Sequence, residues 1–175
     1  MRQAGFQAQL PFKKKGERVS EMSVFNGSYF GIVGSRRRNT DKDWDTMELL
    51  WKSLMSQGIV MPNDRLVSGG CKEGGDRFAE MIARQCGIPL LIFYPNQNAL
   101  DTKLLKVNPR AAWAKINYAR NTLVALTSDN LIAMVAEDRK GGTEDTIQKF
   151  VRKLYGKYSK VYEEQAIRRG RLYLT

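Results

Sequence analysis

Four short stretches of this chain hold residue types suited to gripping an anion. They are Gly34-Ser35-Arg36, the run Ser68-Gly69-Gly70 that continues to Gly74-Gly75-Asp76, the pair Arg120-Asn121, and Gly141-Gly142-Thr143. Glycine lets a backbone approach a phosphate closely and takes positive φ without a Cβ clash. Ser35, Ser68 and Thr143 add hydroxyls, and an arginine such as Arg36 or Arg120 can hold phosphate oxygens as a bidentate fork. Three carboxylates lie close to these stretches: Asp76, Glu144 and Asp145. They are the candidates for acid–base work if the chain is a catalyst. Asp76 has two readings, a ribose-hydroxyl acceptor or a helix cap. Arg120 also has two, a phosphate ligand or one half of an ion pair.

Composition narrows the chemistry. The 175 residues contain no histidine, which removes histidine-based nucleophile pairs, metal sites and proton shuttles together. Cys71 and Cys86 have neither CxxC spacing nor the number needed for a disulfide framework, so both read as reduced thiols and no metal or cofactor is expected. Cys71 reads as a small filler beside its turn. Lys and Arg total 29 against 18 acids, a formal net charge of +11, which favours anionic partners. No apolar run is long enough to span a bilayer and no signal-peptide core begins the chain, so a cytoplasmic protein without membrane contact is expected.

The elements that must position these stretches follow from periodicity. Residues 1–28, with Lys13-Lys14-Lys15, have no clean pattern and read as a basic extension, either a mobile arm or a loosely docked segment; residues 29–175 read as one domain. Tyr29 to Gly34 is a β-rich run, followed by a helix capped by Asp41 or Asp43 and carrying Trp44, Met47, Leu50, Trp51, Leu54 and Met55 at spacings of three and four. Arg65 to Ser68 is a second strand. Asp76 to Cys86 is a second helix with Phe78, Ala79, Ile82 and Ala83 inward. Ile88 to Tyr94 is nearly continuous apolar sequence, as in a strand covered on both faces. A short helix is expected near Leu100 to Lys106, a longer one from Pro109 to Leu126, and a fourth strand over Asn130 to Val135. Thr143 can cap a helix reaching Tyr155. Short strands are expected at Lys160 to Tyr162 and Arg171 to Leu174. Strands alternating with helices give an α/β, doubly wound, mainly parallel sheet by the right-handed crossover rule. In such a sheet the loops after the strands gather at one edge, where ligands bind, and three of the four stretches follow predicted strands.

The ordered set resembles the SLOG superfamily of Rossmann-like proteins, which includes the LOG phosphoribohydrolases, the DNA-processing protein A family and small YspA-like proteins. It covers about Tyr29 to Tyr155 and is closest to the YspA-like branch. The resemblance implies a nucleotide or nucleotide-derived ligand, bound by Gly34, Ser35, Arg36, Ser68, Gly69, Gly70, Gly74, Gly75, Asp76, Arg120, Asn121, Gly141, Gly142 and Thr143. It also implies a homo-oligomer. The pattern departs from the LOG loop P-G-G-x-G-T-x-x-E. Lys140 precedes the glycine pair and Thr146 stands three past Thr143; Glu144 and Asp145 are displaced by roughly 100–200° around a helix. The expected function is therefore binding, as sensing or sequestration. The alternatives are N-glycosidic hydrolysis of a nucleotide by Glu144, Asp145 or Asp76, and single-stranded nucleic-acid binding through Lys13 to Lys15 and Arg168-Arg169-Gly170-Arg171. Asn96 to Asn108 is the expected specificity loop.

Overall fold

Alternating side chains in two strands divide the interior into two cores. Phe30 and Ile32 of strand β1 (Tyr29–Gly34) face one side, and Val33 faces the other. Ile132 and Met134 of β4 (Asn130–Met134) join the first core, while Leu131 and Ala133 join the second. This two-residue alternation places apolar groups on both faces, so both must be covered by helices. The computed structural model describes residues 25–175. Its five strands, with β2 (Arg65–Ser68), β3 (Leu90–Ile92) and β5 (Leu172–Leu174), form one parallel sheet in the order β3-β2-β1-β4-β5. The fold is the doubly wound, Rossmann-like α/β arrangement that the alternation of strands and helices predicts.

Helices α1 (Asp41–Ser56) and α2 (Gly75–Cys86) cover the first face. Met47, Trp51, Leu54, Phe78, Ala79 and Ile82 are the buried residues of their predicted stripes, whereas Met55 is 44% exposed. Helices α4 (Pro109–Thr127), α5 (Gly142–Tyr155) and α6 (Lys160–Arg168) cover the second, with Val124, Ile147, Phe150, Val151 and Ala166 buried. Between β3 and α4 lie a 3-10 turn, Gln97–Ala99, and the short helix α3 (Thr102–Val107).

Several local expectations are corrected. Lys160 to Tyr162 is the first turn of α6, not a strand, because the Ser159 hydroxyl accepts the Tyr162 amide (3.3 Å) and starts a helix there. The run Ile88 to Tyr94 contains a strand of only three residues, half-buried rather than covered on both faces. β3 is the sheet edge and pairs with β2 alone. The cap of α1 is Thr40, not Asp41 or Asp43. Asp43 closes the reciprocal half of a capping box, its Oδ2 accepting the Thr40 amide (3.0 Å). Thr143 does not cap α5; the N-cap position is Gly141, φ 90°, and no side chain caps the helix. Within the predicted extension, Phe25 packs at a tilt against Tyr29 beneath the Arg65 guanidinium, and the Ser28 amide donates to Asp64 Oδ1 (2.7 Å). Lys13 to Lys15 lie outside the described residues.

Candidate functional site

The chain passes from β1 outward to β2 and β3, then returns to lay β4 on the other side of β1. β1 and β4 therefore flank the point where strand order reverses, and the loops leaving their carboxyl ends diverge to opposite faces of the sheet. The crevice between such loops is the natural binding position in this architecture. A cleft of about 470 Å3 opens there, lined by Gly34, Ser35, Arg36 and Arg37 after β1 and by Lys140 to Thr143 after β4. One face of α4 forms its wall.

Three consecutive arginines have three different fates. Arg38 turns inward to Asp43, and its Nη1 donates to the carbonyls of Val135 (2.9 Å) and Thr175 (3.2 Å), pinning the loop to the ends of β4 and β5. Arg37 bridges the mouth to Asp138 (2.6 Å). Arg36 is exposed on the cleft and has no acidic partner among the described residues.

On the opposite side, α5 starts at the cleft. Its macrodipole and unpaired first amides favour an anion there, and the absence of a side-chain cap leaves that end open. The glycine start is held from behind by α4. Asn121 Nδ2 donates to the Gly142 carbonyl (3.2 Å) and to Asp145 Oδ2 (3.1 Å), and Lys149 Nζ donates to the same carboxylate (2.7 Å). Arg139, at φ 49°, sets the preceding turn by donating to Glu144 Oε2 (2.6 Å) and Glu163 Oε1 (2.9 Å).

These contacts separate the three carboxylates. Glu144 and Asp145 are spent on holding the loop, and neither lines the cleft. Asp76 does line it, but buried. Its side chain is 8% exposed, and it accepts from Arg120 Nη1 (3.2 Å) and the Cys71 amide (3.1 Å). Burial pushes the Asp76 carboxyl above its ordinary range, opposed by the Arg120 charge and by the amides of Cys71 and Gly69. Arg120 is thus one half of an ion pair, and it also faces the cleft, with its Nε buried and unpartnered.

The glycine-rich run after β2 has a different use from the one its pattern suggests. Ser68, Gly69, Gly70, Gly74 and Gly75 do not line the cleft, whereas Asp76 and Cys71 do. A Cβ on Gly69 would fall 1.3 Å from Arg120 Nη1, so this glycine makes room for the buried guanidinium. A Cβ on Gly75 would meet the Val33 carbonyl carbon at 2.3 Å; here glycine lets α2 press on β1. Ser68 is fully buried, and its hydroxyl accepts the Gly70 amide (3.2 Å). The other expected contacts, Gly34, Ser35, Arg36, Arg120, Asn121, Gly141, Gly142 and Thr143, converge on the cleft with Asp76.

Sequence reading missed Arg37, Lys140, Arg110, Asn117 and Tyr118, which also line it. Arg110, Asn117 and Asn121 recur at seven and four residues, a helical stripe visible in the sequence, but nothing there distinguishes a cleft face from a solvent face. Leu100 to Lys106, inside the expected specificity loop, stays outside the lining. Compared with models of known protein families, with characterised proteins and with solved structures, the chain finds no match.

Proposed function

We propose that this protein binds a nucleotide or nucleotide-derived anion in the cleft between the β1 and β4 loops. The observation that carries this reading is charge balance: Arg36, Arg37, Arg110, Arg120 and Lys140 line the cleft, and among the described residues the carboxylates that meet them there are Asp76, paired with Arg120, and Asp138, paired with Arg37. An open helix N-terminus adds to the same potential. The cleft's volume suits a ligand of nucleotide size, and Asn117, Asn121 and Tyr118 supply hydrogen-bonding groups for its uncharged part.

Binding is favoured over N-glycosidic hydrolysis because, among the described residues, no unengaged carboxylate lines the cleft to act as acid or base. It is favoured over nucleic-acid binding through the C-terminal arginines because these have partners within the fold. Arg171 donates twice to the Asp129 carbonyl (2.8 and 2.5 Å), Arg168 pairs with Glu164, and Arg169 lies over the Tyr155 ring.

Thermal unfolding with the four common nucleoside 5′-monophosphates, the matching nucleosides and inorganic phosphate tests the reading. At a hundredfold excess over Kd a ligand selective for the folded state adds about 2.7 kcal/mol, a rise of about 5–10 °C for a chain this long. At least one monophosphate is expected to produce it, its nucleoside is not, and Arg36→Ala weakens it about tenfold. No shift with any of them at millimolar concentration removes the proposal. Release of free base would restore the hydrolytic reading.

A further inference from the structure

Helix α4 presents to the cleft Arg110, Ala114, Asn117, Asn121 and Val124, one continuous face at helical spacing. From Arg110 to Asn121 that face runs about 16 Å along the axis. Asn121 marks one end of the groove, where it touches Gly142 at the start of α5. Arg110 marks the other end. Ala114 between them leaves the wall low, and the Asn117 amide is steadied by donating to the Trp113 carbonyl (2.8 Å).

Arg110 is placed against its own helix. It is the second residue of α4, where the macrodipole is positive and a cation is unfavourable. The first turn of α4 contains no acid to offset it, and among the described residues Arg110 has no ion-pair partner. An exposed cation is thus set at an electropositive helix end, on the lining of a cleft and far from the α5 terminus.

We infer that the ligand carries a second anionic group, held by Arg110 and separated by an uncharged segment from the one held at the start of α5. This rests on the nucleotide reading and extends it from one phosphate to two. Arg110 and Asn121, which touches the start of α5, stand at opposite ends of this face, about 16 Å apart along the axis, so a single phosphate does not meet both ends. The chemistry named is a nucleoside with phosphates on different hydroxyls.

Calorimetric titration of the full chain with nucleoside 5′-monophosphates and the matching nucleoside 3′,5′-bisphosphates, for wild type, Arg110→Ala and Arg36→Ala, decides it. The bisphosphate is expected to bind wild type about tenfold more tightly than the monophosphate. Arg110→Ala weakens the bisphosphate about tenfold more than the monophosphate and so removes that advantage, while Arg36→Ala weakens both ligands alike. The unliganded Tm of Arg110→Ala is expected to stay level or rise, since an unfavourable charge leaves a helix terminus. Equal affinity of wild type for the two ligands, or equal weakening of both by Arg110→Ala, overturns the second anion subsite and leaves the nucleotide reading standing. Wild type that binds neither ligand overturns that reading, and this inference with it.

Discussion

Arg120 and Asp76 form a nearly buried ion pair that also lines the cleft. Both side chains are nearly buried, at 12% and 8% exposure, so each depends on the other for compensation of its charge. Removing one partner of such a pair leaves an uncompensated buried charge, at a cost of about 3–5 kcal/mol. Arg120→Ala is accordingly expected to destabilise the fold by that amount in urea unfolding. The loss should be clearly smaller in an Asp76→Asn background, where no carboxylate is left stranded. Equal losses in the two backgrounds would mean that the pair is not coupled. Gly69 belongs to the same unit, because a side chain there would occupy the space of the guanidinium.

At the scale of elements, two glycines that look alike in sequence have opposite tolerances. Gly75 lies at the start of α2 against β1, where an added Cβ meets the Val33 backbone at 2.3–2.4 Å and backbone cannot yield cheaply. Gly142 lies at the start of α5, where an added Cβ meets only the Asn121 amide nitrogen, at 3.3 Å. Gly75→Ala is expected to cost about 1–3 kcal/mol or more of stability. Gly142→Ala should unfold within about 1 kcal/mol of wild type, yet reduce the nucleotide-induced thermal shift by placing a methyl group at the open helix end. Thermal unfolding of both variants, with and without ligand, separates a packing glycine from a cleft glycine.

Across the whole molecule, polar links tie the cleft loops to the distal end of the sheet. Arg139 joins the β4–α5 turn to α6 through Glu163, whose carboxylate also accepts from Tyr158 (2.7 Å) and Lys160 (3.2 Å). Burial opposes ionisation of Glu163, but Tyr158, Arg139 and Lys160 together hold its carboxyl below the ordinary glutamate range. A carboxyl lowered in the folded state contributes stability above its unfolded pKa, and loses that contribution as pH falls through the folded value. The stability gap between wild type and Glu163→Gln is therefore expected to be widest at neutral pH. It should narrow on acidification below about pH 4.5, the ordinary glutamate value. Denaturant titrations across pH 3–7 measure it; a gap independent of pH would show that the network does not hold Glu163 ionised. Among the described residues no helix is long and apolar enough to cross a membrane.

What the amino-acid order determined by itself was local. Apolar spacing placed Met47, Trp51 and Leu54 on one face of α1 and Ile147, Phe150 and Val151 on one face of α5. The absence of histidine and the surplus of Lys and Arg set the chemistry that any site could use. These are properties of neighbours along the chain, governed by helix and strand periods. Only the tertiary structure decided that β4 lies beside β1, which put the crevice between Arg36 and Gly142 and left the glycines of the run after β2 outside its lining while Cys71 and Asp76 entered it. Lys160 to Tyr162 became helix rather than strand because the Ser159 cap and burial of Ala166 and Glu163 outweighed a short β-prone run. For the glycine run the physical reason is what packs against it. A glycine tolerates a tight approach whether the approaching group is a phosphate, a guanidinium or a strand, and which one approaches depends on residues distant in sequence.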